Sequence, residues 1–479
     1  MSDNGMKSIT VKNMIWRFAE RCAAQAVSFL VSITLARLIS PEQYGSITLI
    51  MVFTSILQVF VDSGLGNALI QKRDSDDLDF SSVFYFNFII CILLYILMFV
   101  LSPFIGDFYE DKSLIPLTRV ISLTLIISGV KGIQQAYVSK HMLFKRFFYS
   151  TLGGTIFSAI VGIAMAYNGF GCWALVAQQL SNVTIDTMIL WLTVKWRPKL
   201  IFSFERLKVL FSYGWKLLVS ALFDTGYNNL RNLIIGKVYS PADLAFYNKG
   251  QQFPSLIVTN INTSIDSVLL PVMASAQDNA NIVKKMTRKS IKMSGYVMWP
   301  LMVGLAVCAK PIVVLLLTEK WIDSIFFLRV FCFTYVLWPI HTANLNAIKA
   351  MGRSDEFLKL EVIKKCVGII SILISLPFGV HAMAIAYLIT APISAIINAF
   401  PNKKLLNYTF KEQIEDILPY IGLSLIMAAL IWPIQNLPLD NLMILVIQVV
   451  IGAMIYIIGS KIFKLDMYFE LLNMVKLKK

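Results

Sequence analysis

The chain has 479 residues, of which 57% are hydrophobic and 15% charged, with a formal net charge of +15. Soluble domains carry about 25% charged residues, so this chain cannot cover itself with polar groups and lipid must be part of its solvent. Apolar runs of about 20 residues, each long enough to cross roughly 30 Å of hydrocarbon, exclude a water-soluble globule, and lone strands are excluded because lipid cannot satisfy an open backbone edge.

About fourteen helical spans are expected in chain order. They centre near Val27, Thr54, Ile90, Leu125, Ala159, Gln179, Phe223, Thr259, Leu301, Trp338, Ile370, Ala391, Leu425 and Ile451. The first run is long and lacks the ordered regions of a cleavable signal peptide, so none is expected. The third, ninth and fourteenth spans are plainly apolar. The first, fourth, seventh, eighth and tenth carry polar residues and are expected to fall below a strict hydropathy cutoff. Between the sixth and seventh spans, residues 196–210 mix basic residues with Phe202 and Phe204, the pattern of a segment lying on a membrane surface.

Loop charges fix the expected orientation. With the N-terminus inside, the inner segments hold Lys72 and Arg73, then Lys140, Lys145 and Arg146, then Lys195, Arg197 and Lys199. They continue through Lys284, Lys285 and Arg288, then Lys403 and Lys404, to Lys476, Lys478 and Lys479. The outer loops hold few cations (Arg37, Lys112, Lys237, Lys310, Lys320), and the largest early one carries Asp107, Glu110 and Asp111. One missed span would invert everything after it, so the persistent alternation implies an even count with both termini cytoplasmic. The positive charge is thus topological, and no nucleic-acid partner is expected.

Two halves resemble each other. Ala36-Arg37-Leu38-Ile39-Ser40-Pro41 matches Gly236-Lys237-Val238-Tyr239-Ser240-Pro241. Val61-Asp62-Ser63 matches Ile265-Asp266-Ser267, and Gly171-Cys172-Trp173-Ala174 matches Gly379-Val380-His381-Ala382. A six-span unit returns to its starting side, so two tandem copies form a parallel repeat about the membrane normal. The expected fold is an all-α integral membrane protein of two parallel six-helix repeats, residues 1–200 and 201–405, followed by two extra helices and a tail over 406–479.

The opening helix of each repeat carries a polar stripe. Arg17, Arg21, Gln25, Ser28 and Ser32 recur at steps that keep one helix face, as do Lys216, Ser220, Asp224, Tyr227 and Arg231. These stripes are expected to face one another across the lobes, with Glu20 a neighbour of Arg17. A charge at the bilayer centre costs about 2.5–3.5 kcal/mol on insertion scales, so it normally faces water or a partner. The competing reading is snorkelling of the terminal cations to headgroups. Gln58 with Asp62, and Thr259 and Asn262 with Asp266, add polar positions whose competing role is helix-to-helix hydrogen bonding. Lys249 and Arg119 are further cavity candidates. The expected binding cations are therefore Arg17, Arg21, Lys216, Arg231 and Lys249, which suit an anionic ligand such as a phosphate. An inside-negative potential favours outward movement of an anion by about 2.3 kcal/mol per charge per 100 mV.

Chemistry is otherwise sparse. Six cysteines sit singly, most inside apolar runs, without a paired spacing, and read as packing residues. The three histidines, His141, His341 and His381, are far apart and read as structural. There is no phosphate-loop motif, zinc motif or nucleophile elbow, so neither a built-in ATPase, a metal nor another cofactor is expected. Transport would then draw on an ion gradient, Na+ or H+, with Glu20, Asp62, Asp224 and Asp266 as candidate coupling carboxylates and Asp186 behind them, or on consumption of product outside.

Leu35-Ala36-Arg37-Leu38-Ile39-Ser40-Pro41-Glu42-Gln43-Tyr44-Gly45 and Gly64-Leu65-Gly66-Asn67-Ala68-Leu69-Ile70-Gln71, with Phe211-Ser212-Tyr213-Gly214-Trp215, Ile234-Ile235-Gly236-Lys237 and Tyr247-Asn248-Lys249, carry a family likeness. Over essentially its whole length the chain resembles the polysaccharide transporter (Wzx-like flippase) family of the multidrug/oligosaccharidyl-lipid/polysaccharide exporter superfamily. The resemblance implies V-shaped six-helix lobes, alternating access, and a bacterial inner-membrane location. It implies an undecaprenyl-pyrophosphate-linked glycan as substrate, moved to the outer leaflet for O-antigen, capsule, exopolysaccharide or teichuronic-type polymers. Polysaccharide polymerase and export machinery are the protein partners it suggests, and Arg17 and Arg21 sit where pyrophosphate-binding arginines would be expected. Two rivals remain. A multidrug antiporter of the same superfamily would need an acidic or aromatic cavity. A membrane polymerase or glycosyltransferase would need a long catalytic outer loop, and the outer loops are short.

Overall fold

The computed structural model describes residues 3–62 and 64–476, without the side chains of residues 3–15, 17–19, 213 and 474–476. Helices dominate, because a chain in lipid must satisfy its backbone within each segment. They form two compact units, Met1–Ala245 and Phe246–Lys479.

The first unit contains α1 (Asp3–Leu38), α2 (Pro41–Asp62), α3 (Leu65–Gln71), α4 (Asp77–Phe108), α5 (Leu114–Ile121), α6 (Leu123–Lys140), α7 (Lys145–Tyr167), α8 (Cys172–Thr193) and α9 (Phe204–Val238). It also takes the start of α10 (Pro241–Ala274), and so runs past the residue-200 boundary expected from the repeat. The second unit continues through α11 (Ala280–Val307), α12 (Ala309–Leu317), α13 (Ser324–Tyr335), α14 (Trp338–Ala350), α15 (Ser354–Ser375), α16 (Val380–Leu406), α17 (Phe410–Ile431), α18 (Asn441–Ile462) and α19 (Asp466–Lys476).

Among the described residues, 11 helical stretches are long and apolar enough to cross a membrane. The three expected spans outside that set are α8, α9 and α15. Of the spans expected to fall below the cutoff only the seventh, α9, does so; the sixth and eleventh, α8 and α15, join it. In α15 the cause is the charged first half around Lys359, Glu361, Lys364 and Lys365. The apolar spans turn large side chains outward, as with Leu93, Leu97, Val100 and Phe104 of α4 and Val446, Val449 and Ile457 of α18. Exposed apolar surface on that scale is what a lipid-facing helix requires.

Local chemistry sets the helix ends. Both Ser-Pro pairs of the repeat open a helix after a two-residue break, with proline at the first helical position, where its missing N–H costs nothing. At Ser240 the hydroxyl accepts from the Asp243 N–H while the Asp243 carboxylate accepts from the Ser240 N–H. The Gly171 and Gly379 matches likewise stand just before helices, at φ 54° and 95°. The Asp62 and Asp266 match does not continue this parallel. The helix of Asp62 ends there, whereas that of Asp266 runs on to Ala274. At the start of α4, Asp76 forms a capping box with Asp79, and the Asp79 N–H holds the Asp76 carboxyl below its ordinary pKa. Asp79, fully buried, pairs with Lys72 at 2.6 Å.

The segment before α9 is docked on that helix start. The Trp196 indole N–H donates to Asp77 at 3.1 Å, and the Lys199 and Ser203 N–H groups donate to the Ser81 and Ser82 hydroxyls. Phe202 and Phe204 are exposed, as surface anchors would be. Cys91, Cys308 and Cys332 are buried, but Cys22 and Cys366 are exposed and do not pack as expected.

Two motif glycines explain how α9 packs against the start of α3 within the first unit. Gly64, at φ 97°, lies backbone to backbone against Gly214 of α9. A Cβ on Gly64 would stand 2.7 Å from the Gly214 carbonyl oxygen, and one on Gly214 would stand 2.9 Å from the Gly64 carbonyl carbon. Overpacking of this kind costs about 1–3 kcal/mol. Gly214→Val and Gly64→Ala are therefore expected to lower the unfolding midpoint of purified protein in detergent. Gly226→Ala, whose Cβ would meet nothing within 4 Å, is expected to hold or raise it; equal loss in all three would show that the close approach is not what matters.

Candidate functional site

The structure distributes the predicted residues among several surroundings. On α1, Arg17 lies outside the described side chains, and Arg21 is exposed. On α9, Lys216 and Asp224 are exposed and Arg231 is half-buried. The polar stripes of α1 and α9 are thus largely unburied within the first unit. α1 turns its other face to α7, where the Thr151 hydroxyl donates to Glu20 at 3.2 Å. Glu20 is consequently buried.

In the second unit Asp266 is exposed, whereas Lys249 is only 3% exposed. Its ammonium donates to Gln252 Oε1 at 3.1 Å and lies 5.8 Å from the centre of the Trp321 ring. Lys249 therefore sits in packed interior. Arg119 of α5 is likewise held against α4, donating to the Ser102 hydroxyl at 2.9 Å beneath the Phe99 ring. His141 Nδ1 donates to the Tyr137 carbonyl at its own helix end, His341 faces Asn398, and His381 stacks on Phe327, all structural placements.

A cavity of about 380 Å³ within the first unit brings together residues from most of its helices. Its polar lining includes Glu20 of α1, Gln58 and Asp62 of α2, Asn87 of α4, Lys131 of α6 and Thr151 of α7. The Gln58 amide donates to Asp62 at 2.9 Å. Lys131 is ion-paired at 3.1 Å with Asp186 of α8, and both side chains are largely buried, at 16% and 11% exposure. A Cβ on Gly132, next to Lys131, would meet Asn87 and Val61 at an ordinary contact distance of 3.8 Å. Two of the predicted coupling carboxylates, Glu20 and Asp62, thus line one cavity, while Asp224 and Asp266 do not. Lys131 was missed because it looks like a lone cation in a half-polar span. Its isolation in the run Ser128-Gly129-Val130-Lys131-Gly132 between apolar turns was the available signal.

A second cavity, of about 460 Å³, lies in the second unit beside α17, α18 and the start of α19. Here Arg288 makes a forked pair with Asp416, donating at 2.8 and 2.7 Å, and Tyr408 donates to the same carboxylate at 2.7 Å. Lys292 pairs with Asp466 at 2.8 Å and Lys289 with Glu470, so α19 is tied down onto α11. These are structural ties.

Residues 34–326 match the family described as polysaccharide biosynthesis protein. The chain belongs to that family. It is 28% identical over 309 residues to the teichuronic acid biosynthesis protein TuaB of Bacillus subtilis, the match spanning 63% of each chain. It is 24% identical over 408 residues to the lipopolysaccharide biosynthesis protein WzxC of Escherichia coli, covering 82% of this chain and 81% of that one. Among solved structures, the inward closed form of the lipid II flippase MurJ superposes with a TM-score of 0.75 at 18% identity, over 95% of this chain and 99% of MurJ. At that identity the likeness shows the fold. This family member is a multi-pass membrane protein.

Exposure on the stripes has a direct consequence for water access. With Cys22, Cys172 and Cys366 replaced by serine, Arg21→Cys and Lys216→Cys are expected to react with a cationic, water-soluble thiosulfonate in membranes, and Lys249→Cys to be protected. An unreactive Arg21→Cys beside a reactive control on the 196–203 segment would place the α1 stripe in lipid.

Proposed function

We propose that this family member is a secondary transporter that carries a lipid-linked, anionic oligosaccharide precursor from the cytoplasmic to the outer leaflet of a bacterial inner membrane, by alternating access and with both termini cytoplasmic. The observation that carries this reading is the run of unburied cationic and hydroxyl side chains, Arg21, Ser28, Lys216 and Ser220, on α1 and α9. Such a face has no reason to persist at membrane depth unless it meets water or an anion. An arginine can fork onto a phosphate and a lysine supplies a point charge; a pyrophosphate-linked glycan presents phosphate to them and sugar hydroxyls to the serines. Supporting it, the relatives are named for teichuronic acid and lipopolysaccharide, both polymers containing sugars, and the fold is shared with a protein named as a lipid flippase. Polymerase and export machinery downstream are the natural protein partners of such a step.

A drug antiporter retains one observation in its favour, the carboxylates of the first-unit cavity. Deletion separates the two readings. A strain lacking the protein is expected to accumulate a complete lipid-linked repeat unit on the cytoplasmic face, with unchanged drug resistance. Arg21→Glu is expected to reproduce that accumulation while inserting normally. Full delivery of glycan to the outer leaflet by Arg21→Glu would remove Arg21 from the substrate path.

A further inference from the structure

We infer that Lys131 is a tethered cation that occupies the place of a sodium ion in the first-unit cavity, so that the ion exchanged there is a proton. The inference rests on the transporter reading and deepens it by naming the class of ion that the cavity takes.

The cavity is built of oxygen ligands. Carboxylates of Glu20 and Asp62 and amides of Gln58, Asn67, Asn87 and Gln135 line it, the donor set that hard cations prefer. Lys131 lines the same cavity as these oxygens. Its ammonium pairs with Asp186 at 3.1 Å, and Asp62 and Glu20 line the cavity beside it. Two unit positive charges a few ångströms apart in a poorly solvated interior repel strongly, so Na+ and the Lys131 ammonium exclude one another from the same carboxylates. A proton escapes that exclusion. It adds to a carboxylate oxygen as a covalent O–H and removes the negative charge instead of adding a competing positive one.

The charged and titratable groups facing this centre come from five helices. They are Glu20 of α1, Asp62 of α2, Lys131 of α6 and Asp186 of α8, with the Cys91 thiol of α4 near Asp62. From α7 the cavity receives the Thr151 hydroxyl, which donates to Glu20. With Asp62 protonated, Lys131 keeps its pair with Asp186 and α6 stays tied to α8. When Asp62 releases its proton, two carboxylates compete for one ammonium, and Lys131 can turn toward α2. The proton goes to water in the cavity and no covalent bond of the protein other than that O–H is made or broken. Lys131 is therefore a specificity-determining and positioning residue, and the α6–α8 tie is what the proton controls.

The test needs no transported substrate. Purified full-length protein in detergent is heated in sodium chloride and, in parallel, in choline chloride. The wild type and Lys131→Arg are expected to unfold at the same temperature in both salts. Lys131→Gln is expected to gain a sodium-dependent rise of about 2 °C or more, and Lys131→Gln with Asp186→Asn to lose that gain. A sodium response of Lys131→Gln equal to that of the wild type overturns the inference. Should Lys131→Gln not fold, the wild type alone decides it through dicyclohexylcarbodiimide, which modifies protonated carboxyls in apolar surroundings. Labelling of Asp62 that falls as pH rises and ignores sodium supports proton exchange; labelling that sodium blocks overturns it. Failure here leaves the glycan-accumulation result untouched, and failure of glycan accumulation leaves the sodium response of Lys131→Gln untouched.

Discussion

Hydrocarbon solvates neither an open backbone nor a lone charge, and that constraint decides where every ionisable group of this chain can stand. The apolar faces of α4 and α18 are turned outward, which leaves polar side chains three resting places. They can lie at helix ends, in closed pairs, or along faces that meet water. Asp79 with Lys72 and Asp416 with Arg288 take the first two at once, as pairs at helix ends. Under the proposed transport the stripes of α1 and α9 take the third. Glu20, Asp62, Lys131 and Asp186 combine the second and third, a charged set inside one unit with a cavity beside it.

Features encoded within one helical stretch were legible in the sequence. Each predicted span centre falls on its own helix, because about 20 apolar residues in lipid have only a helix available. The Ser-Pro pairs were read only as a repeat and family signature, yet their role as helix starts is just as local, since proline and a capping hydroxyl act within one turn. Apolarity was misjudged where charge is uneven along a helix. α15 spends its first half in charged residues and its second in Ile and Leu, and an average over the whole span hides that division.

Contacts between helices were not legible. Lys131 and Asp186 are 55 positions apart, and nothing local to either marks the other. The motifs around Gly64 and Gly214 were readable as a family signature, but not as two halves of one backbone contact. Their meeting gives the signature a physical reason: any side chain at either place would hold α3 and α9 apart. The same holds at Gly45, where a Cβ would run into the Pro241 carbonyl at the start of α10. Conformational freedom matters at Gly64, with its positive φ; at Gly45 and Gly214 the absence of bulk is what counts.

Two buried lysines show why burial alone does not define a site. Lys249 and Lys131 both lie at membrane depth on long helices, and only the first was picked out from the sequence. Lys249 has a neutral amide and an indole face around it. Those partners keep the same charge whatever the proton concentration. Lys131 has carboxylates on two different helices and an open volume beside it. Protonating either carboxylate changes which one the ammonium prefers, and the volume allows the side chain to follow. A buried cation becomes part of a working site when its counter-charges outnumber it and at least one of them can be switched. Lys131, paired with Asp186 and sharing its cavity with Glu20 and Asp62, is placed to meet that condition.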